Sequence, residues 1–255
     1  MQQPLLSGIN LQRQTLRLYG ELVARHESWA GKLVFACGEG ASATGLPAAV
    51  SIAGGTALVL DPDAAAVKAV FRQGGVDFVV NTLDEALRVL KNEIRKHRPL
   101  SVALKGDVQH ILTEMAERGV LSDLQIVIID GRIAAEVPTR PSPQQALQSL
   151  QENGMKSLRL QTDLHGMVIP SEEATDWLSQ HGWNETLLPS DQADNTVAAR
   201  TTDAHHEMLP ASDHIRGNWI ERISKYQRDA RTTRLVWMTE REQRNLALGK
   251  ADSPR

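Results

Sequence analysis

The chain has 255 residues, 41% of them apolar, enough to bury one α/β core or one core and a smaller lobe. Its net charge of −3, with both signs interspersed, offers no nucleic-acid footprint and no polybasic membrane patch, and a single cysteine excludes an internal disulfide or a cysteine-based metal cluster. Met1 leads into no basic-then-apolar leader and no apolar run approaches bilayer length, so a soluble cytoplasmic protein without nucleic-acid or membrane partners is expected.

Residues 11 to 28 place Leu11, Leu18, Leu22 and Val23 near one helical stripe, which predicts that residues 1–30 form a helical segment packed on the body. Gly31 marks the entry to Leu33-Val34-Phe35-Ala36-Cys37, short and β-rich enough for a buried strand. Gly38-Glu39-Gly40-Ala41-Ser42-Ala43 follows and fits the G-x-G-x-x-G/A turn of dinucleotide-binding folds. A short helix is predicted over Pro47 to Ala53, then a second strand from Thr56 to Leu60 that ends on Asp61.

Each part has a physical job in that reading. Gly38 permits the tight turn, Gly40 lets bare backbone approach a pyrophosphate, and Ala43 is small enough for helix to pack on strand. Free N–H groups and the positive dipole end at the helix start would hold the phosphates. Asp61 lies 23 residues after Gly38, where such folds place a carboxylate on the ribose hydroxyls. The plainer alternative is a glycine-containing βα turn followed by an ordinary strand-end aspartate. Two near matches fail. Gly40 to Gly45 has P-loop spacing, but Leu46-Pro47 stands where Lys-Ser/Thr must be, and Gly40 to Thr44 lacks the last glycine of a nucleophile elbow. Ser42 therefore reads as a turn or helix-start hydroxyl.

Further on, Ala64 to Gln73 reads as a helix stopped by Gly74-Gly75, and Val76 to Val80 as a strand. Asn81 or Thr82 caps a helix over Leu83 to His97 that starts acidic and ends basic, as the dipole prefers. Leu100 to Leu104 is the next strand, then Gly106-Asp107, a helix from Val108 to Arg118, and a strand from Leu124 to Ile129 closed by Asp130-Gly131. This alternation predicts a Rossmann-like domain over residues 31–136, an α/β doubly wound parallel sheet with helices on both faces. Ligands of such sheets sit beyond the strand carboxyl ends, where Gly38 to Ala43, Asp61, Asp107 and Asp130 fall. The candidate cofactor-binding residues are Gly38, Gly40, Ala41, Ser42, Ala43, Asp61 and Asp107.

The proline-rich run Val137 to Pro143 is a break. Residues 137–182 then read as a connecting segment that completes the sheet, with a helix over Gln144 to Glu152, a strand over Ser157 to Gln161 and a helix over Glu172 to His181. Residues 183–255 read as a small C-terminal α/β lobe. It has a polar loop from Ser190 to Ala204, a helix from Asp213 to Tyr226 with Ile215, Trp219, Ile220 and Ile223 on one face, a strand at Leu235 to Trp237, a charged helix, and a frayed tail from Gly249.

The run GKLVFACGEGASATGLPAAVSIAGGTALVLD, with VDFVVNTLDEAL, RPLSVALKGD and MAERGVLSDL after it, resembles urocanase, the NAD-dependent hydratase of histidine breakdown. In that family a Gly-Lys/Arg-Leu-Val strand leads into Gly-Leu-Gly-Gly-Met-Gly-Gly-Ala-Gln-Pro, then Met-Ala-Gly-Gly and an acidic residue. The stretch from Pro189 to Met238 resembles the family's return into its core, which ends in Phe-Gln-Gly-Leu-Pro-x-Arg-Ile-Cys-Trp, with Tyr226, Gln227, Arg234 and Trp237 at matching places. The resemblance covers most of residues 15–130 and 183–248 and implies an NAD-binding domain with flanking core segments.

The departures are functional. Ala41-Ser42-Ala43 replaces the family's Gly-Met-Gly, Leu46 its glutamine, Ala66 an arginine, Gly106-Asp107 a Gly-Asn, and Val236 the signature cysteine. Gln125 to Asp130 offers no counterpart to the Gln-Thr-Ser-Ala-His-Asp run that contacts NAD in the family. Methyl groups at Ala41 and Ala43 would push a pyrophosphate off the backbone. Hydration of urocanate on NAD also needs a closed imidazole pocket, a carboxylate anchor and an acid/base group, and a nucleotide domain alone lacks the far wall.

No catalytic residue and no metal site is assigned. His205 and His206 are adjacent, and His26, His97, His110, His165, His181 and His214 show no ligand spacing. Neither Tyr19 nor Tyr226 has a lysine four residues on, which disfavours a short-chain dehydrogenase, and Cys37 inside a predicted strand reads as an inert thiol. Three readings follow. The chain is a urocanase relative that binds NAD or another small nucleotide at a weakened site without being a hydratase by itself. It is a hydratase-type lyase completed by a homodimer or a partner chain. Or it is a structural, protein-binding module whose cleft is filled by side chains such as Leu46 or Glu39.

Overall fold

The computed structural model describes residues 8–129, 144–188, 209–210, 212–227 and 234–247. Helix α1 (Gly8–Arg25) opens the fold, followed by β1 (Leu33–Cys37), a 3-10 turn (Ala41–Ala43), α2 (Leu46–Ile52) and β2 (Thr56–Asp61). Then come α3 (Ala64–Gln73), β3 (Phe78–Val80), α4 (Leu83–Arg95), β4 (Leu100–Lys105), α5 (Val108–Glu117), β5 (Leu124–Ile129), α6 (Gln144–Glu152) and β6 (Lys156–Gln161). The chain continues through α7 (Glu172–His181), β7 (Asn184–Leu188), α8 (His214–Tyr226), β8 (Arg234–Met238) and α9 (Glu240–Ala247).

Six strands form one sheet in the order β3-β4-β2-β1-β5-β6, and every pairing is parallel. Strands buried on both faces must be apolar throughout, and β2 is buried along its whole length. The helices divide between the two faces of the sheet. On one face α1, α2, α3 and α8 cover Val34, Ala36, Ala57, Val59 and Ile126, and on the other α4, α5 and α6 cover Leu33, Phe35, Leu58, Leu60 and Leu104. This is the α/β Rossmann-like architecture that the alternating pattern predicts.

The helix ends follow their caps. Thr82, one of the two predicted residues, caps α4 by accepting from Glu85 N at 3.2 Å, and Asp63 caps α3 by accepting from Ala65 and Ala66 N. Gly74 ends α3 in the left-handed conformation (φ 84°).

The C-terminal segment packs into the same core. Tyr19 of α1 stacks on Trp237 (centroids 5.6 Å apart) and Trp219 (5.8 Å). Tyr19 Oη donates to Ile215 O at 2.8 Å, which relieves the cost of burying a phenol. β7 and β8 make a two-stranded antiparallel sheet. Arg216, 5% exposed, pairs with Asp213 (2.6 Å) and Glu242 (2.7 Å) and lies 4.7 Å from the Trp183 ring centroid. Strand β7 has no counterpart in the sequence reading: Asn184–Leu188 is short and mostly exposed, and its pairing with Arg234–Met238 is long-range. Asp130 and the runs Val137 to Pro143, Ser190 to Ala204 and Gly249 onward lie outside the described residues. Among the described residues no helix is long and apolar enough to cross a membrane.

Candidate functional site

The carboxyl edge of the sheet carries the residues singled out in the sequence. β1 and β2 run parallel in register, Cys37 opposite Leu60, and Gly38 N extends the ladder by donating to Leu60 O at 3.0 Å. Gly38 and Gly40 both take positive φ (132° and 75°), a backbone region open to glycine at little cost. The turn then tightens into 3-10 geometry, with Ala41 N donating to Gly38 O (3.2 Å) and Ala43 N to Gly40 O (2.9 Å). Ala43 packs on the core, the third-position role that small residues have in these turns.

Asp61 closes this loop from below. Its carboxylate is fully buried and accepts four hydrogen bonds, from Gly40 N (3.3 Å), Ser42 N (3.1 Å), Ser42 Oγ (2.6 Å) and Asp63 N (3.0 Å). Four is about the full acceptor capacity of a carboxylate. The amides of Gly40 through Ala43 are therefore each engaged within the chain. Residue separation suggests a carboxylate aimed at a ribose; the fold turns it inward onto the loop, with Ser42 as the hydroxyl it holds. Leu46 is 1% exposed in the core and Glu39 is exposed, so the group filling the loop is Asp61 and neither of the two side chains expected for a filled cleft.

The remaining candidate, Asp107, sits after β4 on the same edge and serves as the N-cap of α5, accepting from His110 N at 2.7 Å. Cys37 stands at the end of β1, and burial pushes its thiol up from 9.0 to about 11. That leaves it protonated and unreactive at neutral pH. Among the described residues no group of three His, Cys, Asp or Glu could hold a metal ion.

Sequence reading missed what stands behind the loop. Gln227 Nε2 donates to Thr15 Oγ1 (2.6 Å) and Leu11 O (3.3 Å), tying the end of α8 to α1, while its buried Oε1 has no partner among the described residues. A cavity of about 20 Å³ lies between Gln227, Tyr226, Ser42, Ala43 and Gly45, which is room for about one water. The resemblance of Pro189 to Met238 to a returning core segment, with Tyr226 and Gln227 at matching places, is the signal in the sequence that the tail comes back here.

A six-stranded parallel sheet with helices on both faces and a glycine turn after the first strand define a Rossmann-like α/β protein. A universal stress protein in complex with cAMP shares 9% identity, covering 52% of this chain and 98% of its own with a TM-score of 0.23. A putative SAM-dependent methyltransferase from Streptococcus mutans shares 12%, covering 89% and 48% with a TM-score of 0.30, so this chain spans about half of that protein. At the level of family, the urocanase Rossmann-like domain matches residues 12–129, so this part of the chain is urocanase-like.

Proposed function

We propose that this chain is a urocanase relative that is not a hydratase by itself and that holds NAD only loosely, because its own Asp61 occupies the amides a diphosphate would use. The four hydrogen bonds to the buried Asp61 carboxylate carry this reading. A hydrogen bond to a charged group contributes about 1.5–3 kcal/mol net, so opening even one of them weakens a dinucleotide roughly 10- to 150-fold. A bound phosphate would also stand against a buried carboxylate, a like-charge contact in a poorly screened place. The family match supplies the expectation of NAD, and the altered positions Ala41, Ala43 and Leu46 supply the expectation that the site has drifted.

If NAD binds, Gly38, Gly40 and the Ala41–Ala43 turn line its diphosphate and Asp61 is the group that must give way. The nicotinamide would supply an electrophilic ring for urocanate chemistry. Among the described residues, none at this edge supplies the acid/base group or the carboxylate anchor that such chemistry requires.

Calorimetric titration of NAD into the wild type and Asp61→Asn tests the reading. Expected are no co-purified NAD, a dissociation constant of about 1 mM or weaker for the wild type, and tighter binding by Asp61→Asn. Weaker binding by Asp61→Asn would identify Asp61 as a ribose ligand and overturn the proposal. Stoichiometric co-purified NAD, or urocanate turnover by the isolated chain, would overturn it as well.

A further inference from the structure

A broad cleft lies at the opposite edge of the sheet from the glycine turn. It has a volume of about 680 Å³ and opens over the amino ends of β1, β5 and β6, between Arg25, Trp29, Lys32, Ser122, Lys156 and Glu173. That volume falls within the ~300–1,000 Å³ typical of small-molecule sites. Its walls are of two kinds: Leu121, Leu124 and Leu158 are apolar, and the charged groups are unevenly spent.

The acids here are committed to the fold. Asp123 Oδ2 accepts from Leu33 N at 2.7 Å and holds the start of β1, and Glu173 pairs with Arg25 Nη2 at 2.8 Å. Arg25 also pairs with the buried Glu21 at 2.7 Å. Lys32 and Lys156 have no acidic partner among the described residues.

Their anchorage is firm. Lys32 N donates to Trp29 O (3.0 Å), and Lys32 O accepts from Thr56 N (3.0 Å) and Thr56 Oγ1 (2.8 Å). Lys156 opens β6 directly opposite Leu124 of β5, and Leu124 is opposite Val34 of β1. Lys32 and Lys156 thus stand at the starts of the strands either side of β5 and line the same cleft, beside Ser122, which is 5% exposed and whose hydroxyl has no partner among the described residues.

Helix C-termini also point to this edge and would repel an anion, but that of α1 is neutralised. Arg25 Nη1 donates to Glu21 O (2.6 Å), while His26 N and Trp29 Nε1 donate to Leu22 O at 3.1 and 2.8 Å.

The geometry points to this cleft as a second ligand site, for a small organic anion with a phosphate or carboxylate head held by Lys32 and Lys156 and an apolar body lying on Leu121, Leu124 and Leu158. Two unspent cations beside apolar walls match such a molecule, whereas an inorganic ion would leave those walls wet and a neutral one would leave the lysines unused.

The test titrates phenyl phosphate, benzoate and neutral benzyl alcohol into the full chain, into Lys32→Gln/Lys156→Gln and into Asp61→Asn. Expected is saturable binding of phenyl phosphate or benzoate, weakened at least about tenfold in the double variant and unchanged in Asp61→Asn. The relative affinities of the two anions decide between a phosphate and a carboxylate head. A readout free of mutation is amine acetylation followed by mass spectrometry, in which the bound anion protects Lys32 and Lys156 but not the exposed Lys91 of α4. Absence of saturable binding, equal binding of benzyl alcohol, or affinity and acetylation indifferent to the two lysines would each overturn the assignment. Tighter binding in Asp61→Asn, with the double lysine variant binding like the wild type, would place the anion at the glycine turn instead.

Discussion

The two edges of the same sheet have opposite polar economies. At the carboxyl edge the turn after β1 is saturated: Asp61 takes the amides of Gly40, Ser42 and Asp63 together with the Ser42 hydroxyl, and the amides of Ala41 and Ala43 go to Gly38 and Gly40 carbonyls. At the amino edge two lysines and a serine hydroxyl have no partners among the described residues, around a cleft of about 680 Å³. A fold class says where ligands usually sit. Whether a place can accept one depends on which groups the chain has already used, and by that measure the edge named by the motif is the more closed of the two.

The largest way to break the contrast is Asp61→Ala. It strands buried donors at Gly40 and Ser42, and calorimetric unfolding should show a loss of about 3 kcal/mol or more, since each buried unpaired group costs about 1–3 kcal/mol. A loss below about 1 kcal/mol would mean that the loop does not depend on this carboxylate.

Cys37 sharpens the contrast next. With its thiol raised from 9.0 to about 11 by burial, alkylation at pH 8 should run roughly a hundredfold slower than for a free thiol, followed by intact-mass spectrometry. The sign for stability follows from the raised value: the contribution from keeping this thiol neutral is intact below pH 9.0 and is lost as pH rises through about 11.

Gly45→Ala comes third. Gly45 has φ 80°, and an added Cβ would run into Thr15 Oγ1, the hydroxyl bonded to Gln227. The left-handed backbone alone costs an ordinary residue about 1–2 kcal/mol, so about 2 kcal/mol in all is expected in denaturant unfolding. Smallest is Lys32→Gln/Lys156→Gln, which should change stability by less than about 0.5 kcal/mol because neither ammonium is tied into the fold. A larger loss would show that the amino edge is also spent.

Much of the fold was legible in order and type. The apolar runs of β1, β2, β4 and β5 are short, continuous and bounded by glycine or aspartate, and the cap at Thr82 stands at the start of its helix. Where reading and structure differ, the cause is long-range. Helix α1 ends at Arg25, three residues before the predicted end, because Trp29 turns back to bond Leu22 O. β7 owes its existence to β8, whose paired residues are about fifty positions away. At the site the residues of the turn were identifiable, but the direction of the Asp61 side chain was not, since a strand-end carboxylate facing a ribose and one facing its own loop share the same spacing.

From its sequence alone this protein is determined to be a parallel α/β domain with a glycine turn after the first strand, because hydrophobic period, caps and turn residues are local properties that survive without a partner. Only the tertiary structure decided that Asp61 fills the turn it was expected to serve, that Gln227 returns to rest behind it, and that Lys32 and Lys156 line one cleft from either side of β5. Those outcomes depend on which side chains meet once the sheet is closed, and a polar group with several possible partners takes the one that burial brings within reach.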